Sequence, residues 1–150
     1  MDEKKTLPTD LSEKIDGVLR EAGAKNREGN VSESIALGLS AWSLLPAPQE
    51  QWDFYPQIMS RSLVTKYAAV GDAAGVKQWI DTTYRMYDDP EHRDHLVLML
   101  EGRSLYQLGL TGEAYDIFAK VHELYGREGF AGEDMSYLEF YLKERAQKEL

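Results

Sequence analysis

The chain of 150 residues has no cysteine. Disulfides, thiolate catalysis and cysteine-ligated zinc are therefore excluded. No apolar run approaches the ~18 residues of a membrane span. The amino terminus, Met1-Asp2-Glu3-Lys4-Lys5-Thr6-Leu7-Pro8, has no apolar stretch behind its charges and does not read as a secretory signal. Basic charge is scarce: Lys plus Arg number 17 against 26 Asp plus Glu, for a net charge of −9. The deficit is spread along the chain. Nucleic-acid binding is disfavoured, because phosphate contacts need a basic face. Gly-x-Ser-x-Gly, a phosphate-binding glycine loop and His-Glu-x-x-His are all missing. The expectation is a cytoplasmic protein without catalytic residues, metal or cofactor, and without membrane or nucleic acid as partner.

What is present favours one helical domain. About 150 residues suit a single domain with a real core, and a hydrophobic share of 43% with 3 Trp, 9 Tyr and 4 Phe argues against disorder. Leu and Ala number 31 and Val and Ile 12, a helical balance. Ala114, Ile117, Phe118, Val121 and Tyr125 mark one face of a helix. Val76, Trp79, Ile80, Thr83, Tyr84 and Tyr87 repeat the rhythm, as do Leu11, Ile15, Val18, Leu19 and Ala22.

Breakers then predict about seven helices. They run from Asp10 to Arg27, Ser32 to Leu45, Trp52 or Pro56 to before Gly71, and Asp72 to Tyr87. The rest run from Glu91 to Leu108, Glu113 to Tyr125 and Asp134 to Lys148. Asp10 with Glu13 suggests a capping box, and Asp134 an N-cap. Residues 1–9 are expected to be flexible.

The helices pair around Gly29, Gly71 and Gly109. The segment Leu98 to Gly126 fits a tetratricopeptide unit, a helix–turn–helix repeat of ~34 residues. Gly102 takes the small position and Gly109 the turn, followed by Ala114 and Phe118. Weaker copies place Tyr67 and Ile80 around Gly71, and Ala22, Gly38 and Pro46 around Gly29. The predicted fold is all-α: one domain over 1–150, a right-handed tetratricopeptide-like stack of about three hairpins with a C-terminal capping helix. Such stacks bury one continuous core and leave a concave binding face. Unit position assigns that face Leu96, Met99, Arg103, Tyr106 and Gln107 in the third pair. It assigns Ile58, Arg61, Thr65 and Ala68 in the second, and Leu19, Gly23, Asn26 and Arg27 in the first.

Chemistry is thin. His92 and His95 would share a face if both lay on one helix, enough to suggest a metal-dependent hydrolase as a minor competitor. Acids at a helix start explain the same segment without a metal. The aromatics are more informative. Trp52, Phe54 and Tyr55 lie in Gln51-Trp52-Asp53-Phe54-Tyr55-Pro56, after a proline-rich loop. Trp and Tyr are common interface anchors. Packing of a long loop onto the stack competes evenly for Trp52 and Tyr55, and Trp42 and Trp79 read as core.

The segment Leu98 to Tyr141 carries a resemblance. Glu101-Gly102, Gly112-Glu113-Ala114-Tyr115, Gly129-Phe130-Ala131-Gly132-Glu133-Asp134 and Tyr137-Leu138-Glu139-Phe140-Tyr141 follow in order. This resembles small tetratricopeptide-like bacterial proteins encoded beside polymorphic toxins and taken to be their immunity proteins. It covers the last 45 to 50 residues well and the rest only in helical plan. The resemblance implies a cytosolic, non-enzymatic protein that binds and occludes one toxin, and it supplies no binding residues. With the acidic charge, a basic toxin domain is the expected partner, and Trp52, Phe54, Tyr55, Arg61, Arg103, Tyr106 and Glu133 are the candidate contacts. The alternative is an adaptor or chaperone-like module that takes a peptide in the groove. The oligomeric state is left open.

Overall fold

The computed structural model describes residues 3–150. Regular structure among them is helical, apart from one isolated β-bridge between Lys5 and Trp52. The chain divides by its contacts into two compact units, Met1–Pro90 and Glu91–Leu150. In the first, α1 (Thr9–Arg27) packs on α2 (Val31–Ser43) and α3 (Tyr55–Ala69) packs on α4 (Ala73–Met86). Contacts between α2 and α3 join these two hairpins. In the second, α5 (His95–Gln107) packs on α6 (Thr111–Tyr125). A 3₁₀ turn, Gly126–Phe130, then leads to α7 (Met135–Lys148), which packs on α6.

The three hairpin turns share one construction. Gly29, Gly71 and Gly109 have φ of 84°, 74° and 80°, where an L side chain is strained. At each, two amides bond back into the helix just ended. The Gly29 and Asn30 N–H groups donate to the Asn26 and Lys25 carbonyls. Gly71 and Asp72 donate to Ala68 and Tyr67, and Gly109 and Leu110 to Tyr106 and Leu105. These bonds satisfy carbonyls that a helix end leaves open. The end of α4 uses the same pair of bonds with an aspartate at the turn, Asp88 at φ 53°. Asp is among the few side chains that tolerate this region.

The helix starts lie within two residues of the expected ones apart from the fifth, and two of the shifts undo a predicted motif. The first helix begins at Thr9 after Pro8, so Asp10 lies inside the first turn and makes no capping box. The fifth begins at His95, four residues later than predicted. His92 has φ 55°, outside helical geometry, and the Asp94 carboxylate accepts from the Val97 N–H at 3.1 Å. Asn30, Asp72 and Asp134 cap α2, α4 and α7 in the same way. Hydrogen bonds from Ser136 hold the Asp134 carboxyl below its ordinary pKa.

The predicted stripes form core faces except at Tyr125, which ends its stripe 41% exposed. Val76, Trp79, Ile80, Thr83 and Tyr84 are buried, as are Ala114, Phe118 and Val121. The small positions have a packing reason. A Cβ on Gly102 would stand 2.5 Å from the Phe118 ring. On Gly38, where the unit pattern has an aromatic, it would stand 3.1 Å from Leu63, so Leu63 of α3 fills that space. Buried Ser34 donates to the Ala22 carbonyl at 2.7 Å, so α1 and α2 are also held together there.

The lead-in expected to be flexible is tied down over residues 3–8. The Lys5 N–H donates to the Gln51 carbonyl, and the Asp53 N–H donates to the Lys5 carbonyl, both at 2.8 Å. Leu7 is 5% exposed and joins Ile15, Ala41, Leu45 and Met59 in the core of the first unit. The part of that expectation concerning Met1 and Asp2 lies outside the described residues.

Candidate functional site

The loop from Pro46 to Tyr55 presents the most unusual geometry among the candidate residues. Its aromatic residues have separate roles. The Trp52 indole N–H donates to the Pro46 carbonyl at 2.8 Å, which closes the loop on itself. Trp52 and Tyr55 both pack against the core cluster of the first unit. The Tyr55 hydroxyl donates to the Asp16 carboxylate of α1 at 2.8 Å. These two side chains hold the loop on the hairpin, so their truncation removes packing before it removes any interface.

Phe54 is different. Its φ and ψ are 73° and −61°, and the Tyr55 N–H donates across it to the Asp53 carbonyl at 2.8 Å. This is a γ-turn with positive φ, a rare and strained conformation. For a non-glycine residue such strain amounts to about 1–3 kcal/mol and requires strong support from its surroundings. The β-bridge at Lys5 holds one side of the turn, and α3 starts on the other. The result is a phenyl ring that is 54% exposed, standing edge-on to Tyr55 with ring centres 5.2 Å apart. Beside it lies a cleft of about 200 Å³ lined by Thr6, Leu7, Ser12, Asp53, Phe54 and Tyr55.

The Tyr55–Asp16 contact makes stability pH-dependent. Burial first, and then the Asp16 carboxylate, push the Tyr55 phenol above its ordinary value of 10.0. The folded chain thus holds this proton more tightly than the unfolded chain does. The stabilisation is complete below the unfolded pKa and is lost as pH rises through the folded one. Tyr55→Phe should therefore lower stability at pH 7 by about 0.5–1.5 kcal/mol, the worth of one hydrogen bond. It should also abolish one component of the alkaline decline. Melting curves from pH 7 to 11 check this; equal alkaline slopes for both proteins would contradict it.

The remaining candidates separate by unit. Arg61 on α3 is half-buried, and its Nε has no hydrogen-bond partner among the described residues. In the second unit Arg103 and Glu133 meet each other, with Nη1 to Oε1 at 2.8 Å. Tyr106 is covered by Tyr137 and Phe140 of α7, with ring centres at 5.6 and 5.0 Å. Met99 is buried. Three of the five groove positions assigned to the third pair are thus engaged by this chain itself. Loop and groove candidates do not converge on one site within either unit.

His92 lies before α5, so it and His95 do not share a helical face. The His95 ring bonds to the Gly129 carbonyl through Nε2. Among the described residues, no three of His, Cys, Asp and Glu come together as a metal set.

Thr6, Leu7, Ser12, Asp16 and Asp53 escaped the sequence analysis as site residues. One signal was available. Leu7 precedes Pro8 at the start of α1, where an apolar residue commonly folds back onto the first turn. The others are brought in by the bridge and the γ-turn, which leave no mark in residue spacing. No helix among the described residues is long and apolar enough to cross a membrane. No protein family, characterised protein or solved structure compared with this chain matches it.

Proposed function

We propose that this is a non-enzymatic, cytoplasmic protein-binding module of tetratricopeptide-like type, and that it acts as an immunity protein by occluding a basic bacterial toxin. The observation that carries binding is Phe54, an aromatic ring held toward solvent in a strained turn. Strain retained at an exposed residue is an uncompensated loss unless the display serves something. The net charge of −9 supports a basic partner by speeding encounter. The immunity role rests on the resemblance of the C-terminal segment.

Peptide binding in the groove is less well supported. Met99, Arg103 and Tyr106 would be needed there, and they are buried, ion-paired and ring-packed. The loop of the first unit is the better contact.

The test is co-expression with the product of the neighbouring gene, followed by a pull-down and a toxicity assay. The expected result is a stoichiometric complex and protection of the cell. Phe54→Gly should then weaken binding by about 30-fold, the effect of losing one aromatic hot spot. The same change should leave the melting temperature equal or higher, because glycine relieves the positive φ. No complex and no protection would overturn the immunity reading.

A further inference from the structure

We infer that the cleft beside Phe54 is a receptor for one arginine side chain of a protein partner. This deepens the binding function proposed above and rests on it. Three features define the occupant. The first is charge: Asp53 is exposed, and no cation pairs with it among the described residues. Its backbone is fixed on both sides, by its N–H to Lys5 and by its carbonyl from Tyr55, so the carboxylate stands on a rigid support. The second is shape. A volume of about 200 Å³ admits a single long side chain and is too small for a helix or a strand. The third is the chemistry of the walls. Phe54 and Tyr55 offer aromatic surface, and the hydroxyl oxygen of Thr6 can accept a hydrogen bond. The Ser12 hydroxyl is already engaged, with the Thr9 carbonyl at 2.9 Å and with the Tyr55 hydroxyl, so it closes the wall of the cleft.

An aliphatic stem, a flat cation and several donors match that set. The guanidinium can stack on an aromatic face and bond a carboxylate with two parallel N–H groups, which an ammonium cannot do. The strain at Phe54 follows the same logic. The γ-turn reverses the chain within three residues, and that reversal brings Asp53 and Phe54 to line one cleft.

The probe is N-acetyl-L-arginine amide, titrated into the whole protein and followed by amide NMR shifts. N-acetyl-L-citrulline amide, nearly the same shape without charge, is the control. Saturable shifts are expected at Ser12, Asp53, Phe54 and Tyr55 at millimolar probe, with citrulline at least about tenfold weaker. Asp53→Asn and Phe54→Gly should each weaken the arginine probe by about three- to tenfold. Equal binding of citrulline, shifts centred elsewhere or no shifts would overturn the inference. The pull-down separates this from the wider function. A partner captured through Phe54 without arginine shifts leaves the binding function and refutes the pocket. Arginine shifts without capture of the neighbouring gene's product refute the immunity role and leave the pocket standing.

Discussion

Phe118→Ala should remove about 3–5 kcal/mol of stability, the usual effect of deleting a buried phenyl ring. Phe118 is fully buried on α6. Its ring lies 5.8 Å from that of Phe130, 5.6 Å from Tyr137 and 6.2 Å from Phe140, centre to centre. Its neighbours come from the 3₁₀ turn and from α7, and Gly102 of α5 brings backbone against it. Walls from so many elements cannot collapse together into the space left. A domain is stabilised by only about 5–15 kcal/mol in total, so this loss is a large share. Urea unfolding followed by circular dichroism measures it, and a loss below about 1 kcal/mol would show that the ring does not anchor the unit.

Gly102 sharpens the same prediction. Alanine there gains about 1 kcal/mol of helix propensity over glycine. Against this, its Cβ would stand 2.5 Å from the Phe118 ring, and overpacking of this kind costs about 1–3 kcal/mol. Phe130, Tyr137 and Phe140 keep the ring from yielding, so Gly102→Ala should destabilise the native protein. In a Phe118→Leu background the obstruction is gone and the same change should become neutral or stabilising. That reversal of sign is the check, because additive effects would mean that the two residues do not touch.

Trp79→Ala should have an effect of similar size in the first unit, about 3–5 kcal/mol. Trp79 is 5% exposed on α4 and stands edge-on to Trp42 of α2, with ring centres 5.0 Å apart at 87°. The pair joins the two hairpins of that unit, and edge-to-face rings add about 0.5–1.5 kcal/mol beyond area burial. Trp79→Phe keeps an aromatic edge and should cost less than half as much. Trp42 is only half-buried, so Trp42→Ala should fall between the two. Thermal unfolding of the three variants gives the order, and an equal loss for all would remove the packing argument.

The helical plan was legible because it is written locally. Amphipathic spacing marked the core faces of α4 and α6, and a glycine before a polar residue marked the hairpin turns at Gly29 and Gly71. Positive φ is a property of the turn itself, so glycine reports it without any distant partner. Asp88-Asp89-Pro90 likewise marked the end of α4, where Asp88 takes the place the glycines hold at other turns. Legibility failed at the next start, where positive φ at His92 delays α5 until after Asp94, which caps it. The pairing of His92 with His95 on one face disappeared with that shift of four residues.

The candidate site was legible in part. Aromatic composition drew attention to Gln51–Pro56, yet it could not separate Trp52 and Tyr55, which hold the loop to the core, from Phe54, which faces solvent. That division depends on Pro46, on Asp16 and on Lys5, which bridges Trp52 from 47 positions away. Arg103 and Glu133 looked like two contacts for a partner and proved to be one ion pair across 30 positions. The sequence by itself determined helix content, the hairpin turns, the core stripes and the acidic charge, all of which follow from nearest neighbours and composition. Only the tertiary structure decided which aromatics are displayed, which charges are already paired and where a cleft opens. Those are properties of groups that meet only after the chain has folded back on itself.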